Sequence, residues 1–345
     1  MKIKLILVPL FFLALSIHSF SQESLIERAN SVFKPLPDKI TELKGKKITS
    51  EKIELGKVLY FDPRLSKSAL ISCNTCHNIG MGGDDFQETS TGHAWQKGPR
   101  NAPTVFNSVF NMAQFWDGRA GDLAEQAKGP IQAAVEMNNT PADVMKNIKS
   151  MPEYITLFKR AFPKDKSPAT FDNLAAAIES FEATLITPGS RFDKFLKGDE
   201  KALSKDEQKG LQIFMDNGCD SCHNDVNLGG NGYYPFGLIE QPSEDILKGD
   251  KGRFEITKTE GDEFSFKVPT LRDIELTPPY FHSGKVWQLK NAVSLMATSQ
   301  LGVALSSEDV DYIVKFLKTT TGKLPDVVYP ILPKSTDRTL KPNLN

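Results

Sequence analysis

Cys73-Asn-Thr-Cys76-His77 and Cys219-Asp-Ser-Cys222-His223 are the two stretches whose reading decides the fold. Each has the Cys-x-x-Cys-His form that attaches a c-type haem. Two thiols three positions apart reach both vinyl groups of one porphyrin, and the adjacent imidazole then falls beneath the iron. Other readings explain less. A four-cysteine zinc site would join motifs far apart in the chain and leave both histidines without a role. A thioredoxin-like redox pair wants a βαβ context, which is absent here. Structural disulfides give no reason for a histidine after each pair.

Outward from the motifs, the chain repeats itself once. Gly56-Lys-Val-Leu-Tyr60-Phe-Asp62 precedes the first motif and Met81-Gly-Gly83 follows it. Gly210-Leu-Gln-Ile-Phe214-Met-Asp216 and Leu228-Gly-Gly230 frame the second in the same way. Each unit closes on an apolar helical face: Leu174, Ala177, Ile178, Phe181 and Leu185 in the first, Val310, Ile313 and Leu317 in the second. Ser306-Ser-Glu-Asp309 resembles a capping box at the start of the latter. The join falls near Thr187-Pro-Gly189, a turn signal. Only Phe264-Ser-Phe-Lys-Val268 alternates like a strand, so the expected class is mainly α, with two cytochrome c-like domains. The glycine-rich Gly80–Gly83 and Gly229–Gly232 stretches lack the Lys-Ser/Thr ending of a nucleotide loop. They read as turns that let backbone approach a porphyrin.

The ends differ from the middle. Lys2 and Lys4, the apolar run Leu5 to Ile17 and the small residues Ser19 and Ser21 read as a secretory signal peptide over 1–21. The apolar run is shorter than the roughly 20 residues of a membrane span. Expected domains are therefore 22–186 and 187–322, followed by an extended tail over 323–345 rich in proline. The whole chain has 345 residues, 25% of them charged, and a formal net charge of −1. That balance argues against a nucleic-acid binder that works by neutralising phosphates. Four cysteines are too few for a disulfide scaffold of this length. An exported protein with no membrane span fits these ends.

Each iron has a second axial position to fill. Beyond the motifs and the leader, the histidines are His93 and His282, and the methionines of the second unit are Met215 and Met296. Met215 sits in the helix before Cys219 and suits a core position. Met296 lies far enough beyond His223 for the chain to cross to the other haem face, although core filling is the commoner job of a methionine. A thioether ligand raises a haem's potential and two imidazoles leave it low. The inventory suggests one high-potential His/Met haem, and one on His77 completed by His93 or left open. His93, among Gly92, Lys97, Gly98 and Pro99, also reads as a surface-loop histidine. His282 suits a hydrogen bond to a propionate or to backbone.

Taken together, the sequence closely resembles the bacterial di-haem cytochrome c peroxidases. The resemblance runs through Arg100-Asn-Ala-Pro-Thr-Val-Phe-Asn107, Gln114-Phe-Trp-Asp-Gly-Arg119, Glu125-Gln-Ala-Lys-Gly-Pro130 and Val135-Glu-Met-Asn138. It continues in Gly229-Gly-Asn-Gly-Tyr-Tyr234, Pro279-Tyr-Phe-His-Ser-Gly284 and the Leu295-Met296 region. It implies a periplasmic enzyme, usually a homodimer, with two covalently bound haems c and a calcium ion between the domains. Hydrogen peroxide would be reduced by electrons from a small cytochrome c or copper protein. The haem on Cys73, Cys76 and His77 would be peroxidatic, with His93 capping its iron at rest. The haem on Cys219, Cys222 and His223, with Met296, would accept electrons. Matching positions put Trp116 between the haems and Gln126 and Glu136 in the peroxide pocket. Asn101 and the carbonyls of Thr277 and Pro279 match the calcium ligands.

Residue chemistry points the same way more weakly. Splitting peroxide needs a group that takes a proton from one oxygen and gives it to the other, and a carboxylate with a raised pKa can do so. Glu136 follows Ala133-Ala-Val135 and precedes Met137, an apolar setting. Salt-bridge and core-filling roles for Glu136 and Trp116 compete on sequence alone. Rival functions are a di-haem electron carrier and a di-haem oxidase acting on a partner protein. The latter subgroup has a tyrosine where this chain has Met296.

Overall fold

Small hydroxyl and carboxylate side chains start most of the long helices by accepting the backbone N–H three residues on. The computed structural model describes residues 24–247 and 249–344, so the leader expected over 1–21 lies outside the described residues. Ser24 caps α1 (Leu25–Val32) and Thr49 caps α2 (Ser50–Phe61), while the first motif itself forms α3 (Cys73–Cys76). Asp122 caps α4 (Leu123–Gln132), Thr140 caps α5 (Pro141–Lys149), Pro152 opens α6 (Pro152–Ala161), and Thr170 caps α7 (Phe171–Glu182). Ser190 and Ser204 cap α8 (Arg191–Leu196) and α9 (Lys205–Asp216). The short α10 (Glu244–Leu247) and α11 (Phe254–Thr257) precede α12 (Leu289–Leu301) and α13 (Ser307–Lys318), the last capped by Ser306. Two antiparallel ribbons complete the described residues: β1 (Glu42–Leu43) with β2 (Lys46–Lys47), and β3 (Tyr233–Pro235) with β4 (Ser265–Lys267). The chain is mainly α.

The repeat seen in the sequence is a repeat of one helix crossing. At Gly56 a Cβ would sit 1.9 Å from the Ala177 carbonyl oxygen, and at Gly210 1.9 Å from that of Tyr312. Glycine lets α2 meet α7, and α9 meet α13, backbone to backbone. Around the first crossing lie Leu55, Leu59, Tyr60, Leu174, Ile178 and Phe181; around the second, Leu211, Phe214, Ile313, Phe316 and Leu317. Each such buried apolar side chain contributes about 1.5–3 kcal/mol.

Several details differ from the sequence reading. Leu185 is buried but lies beyond α7, because the chain turns at Ala183 and Thr184, whose N–H groups bond Glu179 and Phe181. The strand spans only Ser265–Lys267, and all three of its residues are buried rather than alternating, since the protein covers both faces. At the glycine turns the backbone also packs closely on protein: Cβ atoms at Gly82 and Gly229 would strike the carbonyls of Leu276 and Pro269 at 2.4 and 2.2 Å. Both have left-handed backbone, with φ of 75° and 136°.

The ends of the chain cross over. Ala29 and Phe33, in and just after α1, belong to the core around α9 and α13. Arg272 and Asp193, both fully buried and 2.7 Å apart, fasten this segment through the Lys34 carbonyl and the Leu36 N–H. The proline-rich end runs back over the first half: Val327 and Leu332 pack on its core, and the Leu340 N–H bonds Asn147 at 3.0 Å.

Candidate active site

The second motif opens onto one large cavity, lined among others by Cys219, Cys222, His223 and Met296. The His223 Nδ1–H donates to the Leu228 carbonyl at 3.2 Å, which leaves Nε2 with its lone pair. Burial pulls this imidazole down to about 4, so it is neutral, the form that binds iron. Half-buried Met296, on α12, lines the same cavity. Met215 packs in the second core, as expected. Thioether sulfur, imidazole and two thiols around an apolar space are the donor set that a covalently held haem requires.

Around the first motif, the His77 Nδ1–H donates to the Pro103 carbonyl at 2.9 Å and the Tyr60 hydroxyl to the His77 carbonyl at 2.6 Å. Burial lowers the His77 pKa as well. His93 is not the surface histidine its neighbours suggested. It is 2% exposed, and its Nδ1 has no hydrogen-bond partner. A buried ring nitrogen without a partner is costly in a finished protein and suits a ligand atom waiting for a metal. The next two residues, Ala94 and Trp95, have φ of 53° and 64°. Trp95 is 83% exposed.

Glu136 is tied to this histidine through the backbone, its carbonyl accepting the His93 N–H at 2.7 Å. Burial raises its carboxyl pKa, against the opposing pull of Arg119. Its charge also reaches Cys76, whose thiol is pushed up to about 11, mostly by burial. His77, His93 and Glu136 therefore share one neighbourhood. Gln126 is half-buried on α4, and no side-chain hydrogen bond joins it to Glu136 among the described residues.

Trp116 stands where the halves meet. Its indole N–H donates to the Asn101 carbonyl at 2.9 Å, and its own carbonyl accepts the Lys267 N–H at 2.7 Å. The ring lines the second cavity and meets His282 edge-on at 6.3 Å. His282 is buried and bonds the Leu247 carbonyl at 3.2 Å, a backbone role as expected. Asn101, Thr277 and Pro279 line the same cavity wall. With its Nδ2 donating to Gln87, Asn101 keeps Oδ1 for another partner. Asp84 joins that wall, its carboxyl raised to about 7 by burial. Among the described residues no group of three or more His, Cys, Asp or Glu could hold a metal. Any cation here would rest on amide and carbonyl oxygens, which suit calcium.

The family model of the di-haem cytochrome c peroxidases matches residues 50–201. A cytochrome c551 peroxidase of Pseudomonas aeruginosa is 56% identical over 339 residues, 97% of this chain and 98% of its own. The chain belongs to the di-haem cytochrome c peroxidase family. A cytochrome c551 peroxidase of Nitrosomonas europaea is 47% identical over 95% of each chain. Among solved structures, a MauG-like protein associated with microbial copper homeostasis superposes with a TM-score of 0.73 at 26% identity, over 83% of this chain and 95% of that one. Membership makes this an oxidoreductase of the cytochrome c peroxidase type with two c-type haems. No helix of the described residues is long and apolar enough to cross a membrane.

Some site residues escaped the sequence. An Arg100 guanidinium grips Asp250 at 2.6 and 2.8 Å and Asp117 at 2.5 Å, joining the halves beside Trp116. The lone signal for it was a charged residue opening the Arg100–Asn107 motif. Glu182 and Lys267, both buried, gave no signal at all.

Proposed function

We propose that this chain reduces hydrogen peroxide to two waters, taking two electrons from a small cytochrome c or copper protein and two protons from its surroundings. Cys73, Cys76 and His77 hold one haem, and Cys219, Cys222, His223 and Met296 the other. When bound, the haems supply the iron that binds peroxide and the route for electrons. The remaining work belongs to side chains. Glu136, its proton affinity raised by burial, takes the proton from the near peroxide oxygen and returns it to the far one, with Gln126 orienting the substrate. Trp116 lies between the halves, held on both sides by backbone hydrogen bonds. Asn101, Thr277 and Pro279 hold calcium at this junction. Export to the periplasm and pairing with a second copy belong to the same reading.

The observation that carries it is the buried, unpartnered Nδ1 of His93 beside the Glu136 backbone. With a haem on the first motif, this imidazole would be the group that caps its iron at rest and keeps peroxide out until it moves away. Its two left-handed neighbours, each costing about 1–2 kcal/mol, favour a segment that can rearrange.

The test is oxidation of a reduced small cytochrome c by peroxide, with calcium, using fully oxidised holoenzyme and enzyme pre-reduced by one electron. The expected result is fast turnover only after pre-reduction in the parent, and without pre-reduction in His93→Gly. A His93→Gly enzyme that still needs pre-reduction removes the capping role. No peroxide-dependent turnover in either state, with two haems present, leaves an electron carrier or a protein-modifying oxidase.

A further inference from the structure

Lys267 is the one Lys or Arg among the described residues lining the cavity of the second motif. It is 6% exposed, yet its ammonium group has no ion pair and no hydrogen bond among the described residues. Other shielded cations here are matched: buried Arg272 by Asp193, and half-buried Arg100 by Asp117 and Asp250. Its strand fixes the backbone firmly, through pairing with Tyr233 and the N–H bond to the Trp116 carbonyl. A desolvated ammonium without a counter-charge is strongly disfavoured, and burial accordingly lowers its pKa to about 8. The missing anion must therefore arrive with whatever fills the cavity. A c-type haem carries its two carboxylates on the edge away from the thioether bonds, and it is the ligand this cavity is lined to receive.

We propose that the Lys267 ammonium binds a propionate of the second haem, holding that edge beside Trp116. This rests on the reading that the second haem occupies the cavity. Lys267 is thus a cofactor-binding residue that also sets the potential, because a fixed positive charge near the iron favours the reduced state. It links the cofactor to Trp116 through one residue, side chain to the propionate and backbone N–H to the Trp116 carbonyl.

The test uses holoenzyme carrying Lys267→Gln or Lys267→Arg, with haem content measured by pyridine haemochrome absorbance and the high-potential haem titrated electrochemically. At a fixed applied potential, K267Q is expected to show an about tenfold lower ratio of reduced to oxidised haem, a shift of about 59 mV downward. K267R, which keeps the charge, should stay within about twofold of the parent. Three equal potentials overturn the proposal, as does a K267R potential as low as that of K267Q. If K267Q retains one haem per chain, K267R decides: two haems support the anchor, and one haem overturns it. Peroxide turnover by the parent is scored separately, so a working peroxidase with an unshifted K267Q potential loses this inference alone.

Discussion

The two halves share a crossing and differ in what they put against it. Aligning Gly56 with Gly210 and Ala177 with Tyr312 sets Phe181 opposite Phe316, and Glu182 opposite Leu317. The first half therefore buries a carboxyl where the second buries a hydrocarbon. The same alignment pairs Tyr60, whose hydroxyl holds the His77 carbonyl, with Phe214, which has no hydroxyl to offer. Asp62 is fully buried under Arg64 and Tyr154, whereas its counterpart Asp216 pairs with Arg28 nearer the surface. At these matched positions the polar groups stand in the half that also holds His93 and Glu136, and their counterparts in the half that holds Met296 are apolar or nearer the surface. On the proposed function, one scaffold serves proton chemistry in the first half and electron acceptance in the second, and these matched positions are where the two copies part.

Glu136→Gln should break the comparison most sharply. Peroxide turnover is expected to fall about 10²–10⁴-fold, while the rate at which reduced cytochrome c loads the second haem stays at the parent value in stopped-flow. A slowed loading step would mean that the halves do not divide the work in this way.

Gly56→Ala and Gly210→Ala test the part that is shared. Helix propensity alone would favour alanine by about 1 kcal/mol. A methyl group pressed to 1.9 Å from a carbonyl should outweigh it, leaving each variant about 3 kcal/mol less stable in urea denaturation. Similar losses in both are expected. A loss in only one would show that the crossings are not equivalent.

Glu182→Leu, which copies the second half into the first, should have the smallest effect and one that depends on pH. Burial, then the charge of Glu179, raises the Glu182 carboxyl to about 8. Between the ordinary carboxyl value of 4.5 and that point, the unfolded chain releases a proton that the folded chain keeps. Stability held below this window is therefore lost as pH rises through it. The parent's urea midpoint should drop between pH 5 and pH 8, and that of Glu182→Leu should drop less. Equal drops would place the pH dependence elsewhere.

Much of this was legible in the sequence because it is local. The motifs, the repeated stretches that begin at Gly56 and Gly210, and the Ser306 cap each follow from a short run of residues. Burial of His93 was not, because it depends on Glu136 supplying a carbonyl from elsewhere in the chain, and the glycine and proline around it looked like surface loop. Lys267 was hidden for a similar reason. In a run that alternates, a lysine between Phe266 and Val268 belongs on the wet face, and here that residue lines the cavity of the second motif instead. The exchange of chain ends was invisible too, since neither Phe33 nor Leu332 carries any mark of which core it will enter.

That exchange has a consequence for which parts of the protein come apart together. Tyr329 rests on Phe61 with ring centres 4.9 Å apart, and the Asn343 N–H reaches the Lys67 carbonyl at 3.0 Å. Residues far along the sequence thus cover the half that precedes them. Removing this segment would bare the side of the first core that Val327 and Leu332 cover, so segment and core should melt as one unit although most of the second half separates them in sequence.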